Sequence, residues 1–232
     1  MGKDVIIACD FSSKEETLKF LDQFKEEKPF VKIGMELFYA EGGEIVKEIK
    51  QRGHKIFLDL KLCDIPNTVY KAMKNIAALG VDMTNVHAFG SIEMMKAAKK
   101  AINEVNPETK LIAVTVLTSS DQNVLDNELM IDGNINDVIL KYASNTKEAG
   151  LDGVVCSPLE SKIIKEKCGE DFLTVTPGIR FADDAKGDQK RVTTPAMAKE
   201  IGSSYIVVGR SITGAKDPVE AYRRCVREFI GE

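Results

Sequence analysis

The sequence predicts a single-domain (β/α)₈ barrel, and three observations predict it. Eight short apolar runs rich in Val and Ile alternate with amphipathic stretches from end to end. That pattern marks parallel strands buried on both faces and joined by helices. The length of 232 residues suits one such barrel. The first strand ends in Asp10-Phe11-Ser12-Ser13, which lacks the glycine-rich phosphate turn that an open doubly wound sheet places there.

The expected strands are 5–10, 30–34, 55–61, 82–87, 110–117, 152–156, 172–177 and 204–209. The first helix opens after Ser12 or Ser13, with Glu15 or Glu16 completing a capping pattern. SIEMMKAAKKAINEV and DPVEAYRRCVREFIGE carry apolar residues at helical spacing, and KAAKK (96–100) reads as a solvated helix face. Gly53, Gly80, Gly150 and Gly202 fall where helix C-cap glycines belong. The segment 179–194 is long for a connection in this fold and reads as a lid over the site. No linker or second domain interrupts 1–232.

Composition narrows the function classes. Hydrophobic residues make up 44% of the chain, and 32 basic against 36 acidic residues give a net charge of −4. No basic surplus points to nucleic acid. No apolar stretch approaches a membrane span. Five scattered cysteines, without a C-x-x-C pair, read as free thiols. The opening apolar run is too short for a signal peptide, so a cytoplasmic location is expected.

In a barrel of this kind the chemistry sits at the strand C-termini. Those positions hold Asp10, Lys32, Asp59, Lys61, His87, Thr115 with Thr118, Pro177 and Gly209. Side chains alternate along a strand, so Asp59 and Lys61 point together into the barrel mouth and Leu60 points to the helices. Asp64 lies beyond the strand, on the loop before Ile65-Pro66. Buried charges require partners. Lys32 and Lys61 alternating with Asp59 and Asp64 meet that demand, since opposite charges about 4 Å apart attract by roughly 4 kcal/mol before desolvation at an effective dielectric near 20. Val207-Val208-Gly209-Arg210-Ser211 reads as a phosphate grip, with Pro177-Gly178-Ile179-Arg180 beside it. His54 reads as a solvated turn residue. No His, Cys or carboxylate group has metal-ligand spacing, and Cys63 has no assigned base.

These residues resemble a known family along essentially the whole chain. ACDF, VKIGMELF, FLDLKLCDIPNTV, VTVLTS, PGIRFADDAKGDQKRVTTP and VVGRSIT are similar to the corresponding runs of the bacterial orotidine 5′-monophosphate decarboxylases. AFGSIEMM, after the histidine, departs from the double-glycine turn of that family. The resemblance implies a homodimeric barrel that removes CO₂ from orotidine 5′-monophosphate to give UMP in de novo pyrimidine synthesis, without metal or organic cofactor. By match to the motifs, Lys61 protonates C6. Asp59 and Lys32 complete the charged array, with Asp64 supplied by the neighbouring subunit. Asp10 and Lys32 bind the ribose hydroxyls, and Thr68 reaches across the interface. Thr118 and Pro177 stand at the substrate. Arg180, Gln189, Gly209 and Arg210 hold the phosphate. Two rivals share part of the pattern. One is a Mg²⁺-dependent sugar-phosphate decarboxylase or aldolase resembling hexulose-phosphate synthase. The other is a non-catalytic nucleotide-phosphate binder.

Overall fold

The computed structural model describes residues 3–184 and 193–231. Eight parallel strands close into a barrel in sequence order: β1 (Asp4–Ala8), β2 (Phe30–Gly34), β3 (Ile56–Leu62), β4 (Met83–His87), β5 (Lys110–Val114), β6 (Gly153–Val155), β7 (Leu173–Thr176) and β8 (Tyr205–Val208). β1 closes the ring on β8 through Asp4↔Tyr205 to Ile7↔Val208. β1 and β5 are shorter than their apolar runs. Asp10 lies past the end of β1, although Cys9 N–H still donates to Lys32 O. Thr115 likewise lies just past β5 and donates from its backbone to Val155 O.

The two faces of each strand carry two cores. Ile6, Ala8, Phe30, Phe57, Met83, Ile112, Leu173, Val175, Tyr205 and Val207 fill the barrel interior. The intervening residues, among them Val5, Ile7, Val31, Ile33, Leu58 and Leu60, pack outward against the helices. This is the period of two that a doubly buried strand imposes. Following the inward set toward the strand C-termini, apolar side chains give way to Asp10, Lys32, Asp59, Lys61 and Asn85.

The helices start and stop where local chemistry directs. Ser13 caps Lys14–Leu21, its side chain accepting from Glu16 N. Pro66 opens Pro66–Ala78, where a missing N–H costs nothing. Gly202 ends Pro195–Ile201 in the left-handed region, and Gly53, Gly80 and Gly150 also take positive φ.

Two expectations need correction. His54 is buried, 2% exposed, with Nδ1 3.0 Å from Pro29 O. The strand that follows draws it under the barrel, where a backbone carbonyl partners it. KAAKK is solvated only in part. Lys96 and Lys100 are exposed, but Ala98 is buried and Lys99 pairs with Asp152 at 2.7 Å.

Candidate active site at the strand C-termini

Four charged residues form one chain across the barrel mouth. Asp10 Oδ1 accepts from Lys32 Nζ at 2.7 Å, Lys32 Nζ lies 3.5 Å from Asp59 Oδ2, and Asp59 Oδ1 accepts from Lys61 Nζ at 2.7 Å. Register explains the assembly. β2 pairs with β3 through Lys32↔Phe57 and Gly34↔Asp59, so Lys32 and Asp59 stand at successive inward levels of adjacent strands. The Asp59 and Lys32 side chains are each 12% exposed, against 58% for Asp10. The array therefore runs from solvent into the barrel.

Its charges sustain one another. Burial opposes the ionised form of Asp59, but Lys32 and Lys61, with hydrogen bonds from Lys61 and Asn85, outweigh it and hold the carboxyl below its ordinary range. Burial likewise opposes the Lys32 ammonium, and Asp59 and Asp10 outweigh it, raising its pKa. His87 ends β4 half-buried, its ring 4.8 Å from that of Phe89. Burial and the Lys61 charge lower its pKa, against an opposing pull from Asp59.

The chain borders a cavity of about 160 Å³. Lys32, Asp59 and Lys61 form its charged side. Phe57, Val155 and Val207 supply apolar walls, and Thr118 and Pro177 also line it, from the segments that follow β5 and β7. Such a slot offers a flat, weakly polar ring one charged face. Thr115, another strand-end candidate, donates its hydroxyl to Val155 O and does not line the cavity.

The expected phosphate residues lie on neighbouring strand ends. β7 and β8 pair through Thr176↔Ile206, and each leads directly into glycine-bearing backbone, Pro177-Gly178 and Gly209. Arg180 is half-buried and donates its backbone N–H to Thr193 O at 3.1 Å. Arg210 is exposed and opens the short helix Arg210–Thr213. It borders a separate cavity of about 330 Å³ with Asp184 and Arg224. Gln189, and residues 185–192 of the expected lid, lie outside the described residues.

Asp64 and Thr68 do not join the array within this chain. Residues 63–68 are all exposed, and Asp64 Oδ1 accepts from Ile65 N at 2.6 Å.

Sequence reasoning missed Asn85. It is fully buried on β4, with Nδ2 2.7 Å from Asp59 Oδ1 and Oδ1 accepting from Lys61 N at 2.8 Å. The available signal was an amide at an inward position of an otherwise apolar strand. Lys61 itself has φ 52, in the left-handed region.

Comparison with known proteins adds the family. The model described as "Orotidine 5'-phosphate decarboxylase / HUMPS family" matches residues 3–225. The chain is 56% identical over 223 residues to the orotidine 5′-phosphate decarboxylase of Fusobacterium nucleatum, covering 96% of this chain and 94% of that protein. It is 53% identical to that of Bacillus cytotoxicus, covering 100% and 99%. The crystal structure of orotidine 5′-phosphate decarboxylase from Lactobacillus acidophilus is similar at a TM-score of 0.88 and 46% identity, over 98% of this chain and 99% of that one.

Proposed function

The chain belongs to the orotidine 5′-phosphate decarboxylase / HUMPS family, and from that premise we propose that it converts orotidine 5′-monophosphate to UMP and CO₂ in pyrimidine biosynthesis, with Lys61 as proton donor. The observation that carries this reading is the Asp10–Lys32–Asp59–Lys61 chain beside a small, largely apolar slot.

The chemistry sets the requirement. As the bond between C6 and the carboxylate breaks, its electron pair stays on C6. A fixed ammonium beside that carbon stabilises the developing charge and then delivers a proton to it. Stabilisation counts only where it is greater in the transition state than in the ground state. Lys61 is held by Asp59 so that little reorganisation is needed at that moment. A substrate carboxylate beside Asp59 is also repelled in the ground state. Asp10 and Lys32 bind the ribose hydroxyls, and Thr118 and Pro177 border the ring. Arg180, Gly209 and Arg210 hold the phosphate, and Gln189 is assigned to the same group.

The enzyme is a homodimer in which Asp64 and Thr68 serve the partner's site. Their exposure, and that of Ile65 between them at 67%, supports this reading. It works in the cytoplasm. All five cysteines are free, and no helix among the described residues is long and apolar enough to cross a membrane.

The family also covers Mg²⁺-dependent sugar-phosphate chemistry, and Lys32 separates the two readings. A divalent cation needs oxygen ligands, whereas here an ammonium occupies the space between the Asp10 and Asp59 carboxylates. The test follows loss of the orotate chromophore after dialysis against EDTA. Full activity is expected. Activity that disappears and returns only with Mg²⁺ refutes the assignment.

A further inference from the structure

The geometry points to Asn85 as a positioning residue for the decarboxylation, a two-handed clamp that sets both the backbone of Lys61 and the carboxylate of Asp59. This inference rests on the proposed role of Lys61.

The local register motivates it. β3 pairs with β4 at Leu58↔Thr84 and next at Leu62↔Val86, so β3 advances four residues while β4 advances two. The surplus lies in Asp59, Leu60 and Lys61, and Asn85 is the single β4 residue opposite them. A bulge of this kind breaks the ladder, re-aims a side chain and is common beside active sites. Here it coincides with Lys61 at φ 52, a conformation that a non-glycine residue holds only when its surroundings enforce it.

Asn85 supplies that enforcement. Its carbonyl accepts from Lys61 N at 2.8 Å, giving a partner to an N–H displaced from the ladder. Its amide donates to Asp59 Oδ1 at 2.7 Å, the same oxygen that receives Lys61 Nζ at 2.7 Å. One side chain thus fixes the root of Lys61 and the carboxylate that aims its tip. No aliphatic residue can make either bond. Aspartate can accept from Lys61 N but cannot, when ionised, donate to Asp59.

The Asn85→Asp variant turns that asymmetry into a pH signature. The charged groups around position 85 are Asp59 and Lys61 from β3, Lys32 beyond Asp59 from β2, and His87 further along β4. The facing residue of β5 is apolar Ile112. A new carboxyl buried against Asp59 has a raised pKa, because burial and a like charge both favour its neutral form. Below that pKa it is protonated and donates to Asp59 as the amide does. Above it, two carboxylates repel and the clamp opens. The ratio of variant to parent kcat should therefore rise by about tenfold or more from about pH 8.5 to about pH 5.5. Using the ratio removes any titration of His87 common to both proteins.

The experiment measures kcat and KM for orotidine 5′-monophosphate and Kd for UMP across that range, for the parent, Asn85→Asp and Asn85→Ala. Rates are referred to the fraction of protein that binds UMP, so partial unfolding does not imitate the effect. Expected are a kcat for Asn85→Ala lower by about a hundredfold at all pH values, a UMP affinity within about threefold of the parent, and recovery of Asn85→Asp on acidification. Parental kcat in both variants, or an Asn85→Asp defect independent of pH, overturns the clamp. A parent that binds UMP without decarboxylating the substrate overturns the functional assignment, and the clamp with it. An active parent beside unaffected variants overturns the clamp alone.

Discussion

Lys61 Nζ lies 2.7 Å from Asp59 Oδ1, and the side chains that make this ion pair are 24% and 12% exposed. The pair is thus shielded enough for its orientation to be fixed, yet open to the cavity that both residues line. Lys32 approaches the other Asp59 oxygen at 3.5 Å, so one carboxylate orders two ammonium groups. In a partly desolvated mouth that arrangement concentrates positive charge at one wall without leaving a charge unpaired.

The turn that follows His87 has a measurable cost. Ser91 sits at φ 93 and ψ 157 as N-cap of Ile92–Val105, its side chain accepting from Met94 N at 3.3 Å. That backbone region belongs almost solely to glycine and costs other residues about 1–3 kcal/mol. Glycine as cap loses only a few tenths of a kcal/mol relative to serine, and its greater freedom in the unfolded chain costs about 0.5–1 kcal/mol. Ser91→Gly should therefore stabilise by about 1 kcal/mol and raise Tm by roughly 2–4 °C. A lower Tm in thermal melts would show that the cap outweighs the strain.

Buried His54 makes stability sensitive to pH. Burial lowers its pKa, offset in part by the Pro29 carbonyl, with Lys28 and Arg52 lowering it further. The unfolded chain then binds more protons than the folded one between the lowered folded pKa and the ordinary histidine value of about 6.5. Stability contributed by neutral His54 is complete above that window and declines as pH falls through it. In urea unfolding between about pH 7.5 and about pH 5.5, His54→Gln should lose less stability on acidification than the parent. His87, shifted in the same direction, keeps the slope above zero. Equal slopes for the two proteins would remove His54 from the account.

The barrel was legible because strands buried on both faces leave continuous Val- and Ile-rich runs, and eight of them close a ring. Asp59 and Lys61 were legible because a period of two places them on one face. The left-handed turn at Lys61 was not, since no local residue preference calls for it and its cause is a bond from another strand. Asn85 was obscured in the same way, its meaning arising only when register sets it opposite the surplus residues of β3. His54 was misread because a Gly-His step after a helix looks like a surface turn, and the carbonyl of Pro29, 25 positions away, is invisible to local pattern.

Asp64 gives the dimer reading its own test. Lys61→Ala and Asp64→Ala chains are purified separately and mixed under conditions that exchange subunits. If Asp64 serves the partner's site, a mixed dimer gathers both lesions in one site and leaves the other intact. Random exchange makes half the dimers mixed, so about a quarter of all sites should recover. No recovery despite demonstrated exchange would mean that Asp64 serves its own chain.

The central claim is that Lys61 delivers the proton to C6. The measurement that reaches it most directly is turnover of orotidine 5′-monophosphate in D₂O by the parent and by Lys61→Ala, with the C6 position of UMP read by NMR and UMP affinity measured in parallel. The account predicts UMP carrying deuterium at C6 from the parent. From Lys61→Ala it predicts a rate lower by about ten-thousandfold or more, while UMP binding stays measurable. Parental turnover by Lys61→Ala, with deuterium still entering at C6, would contradict it.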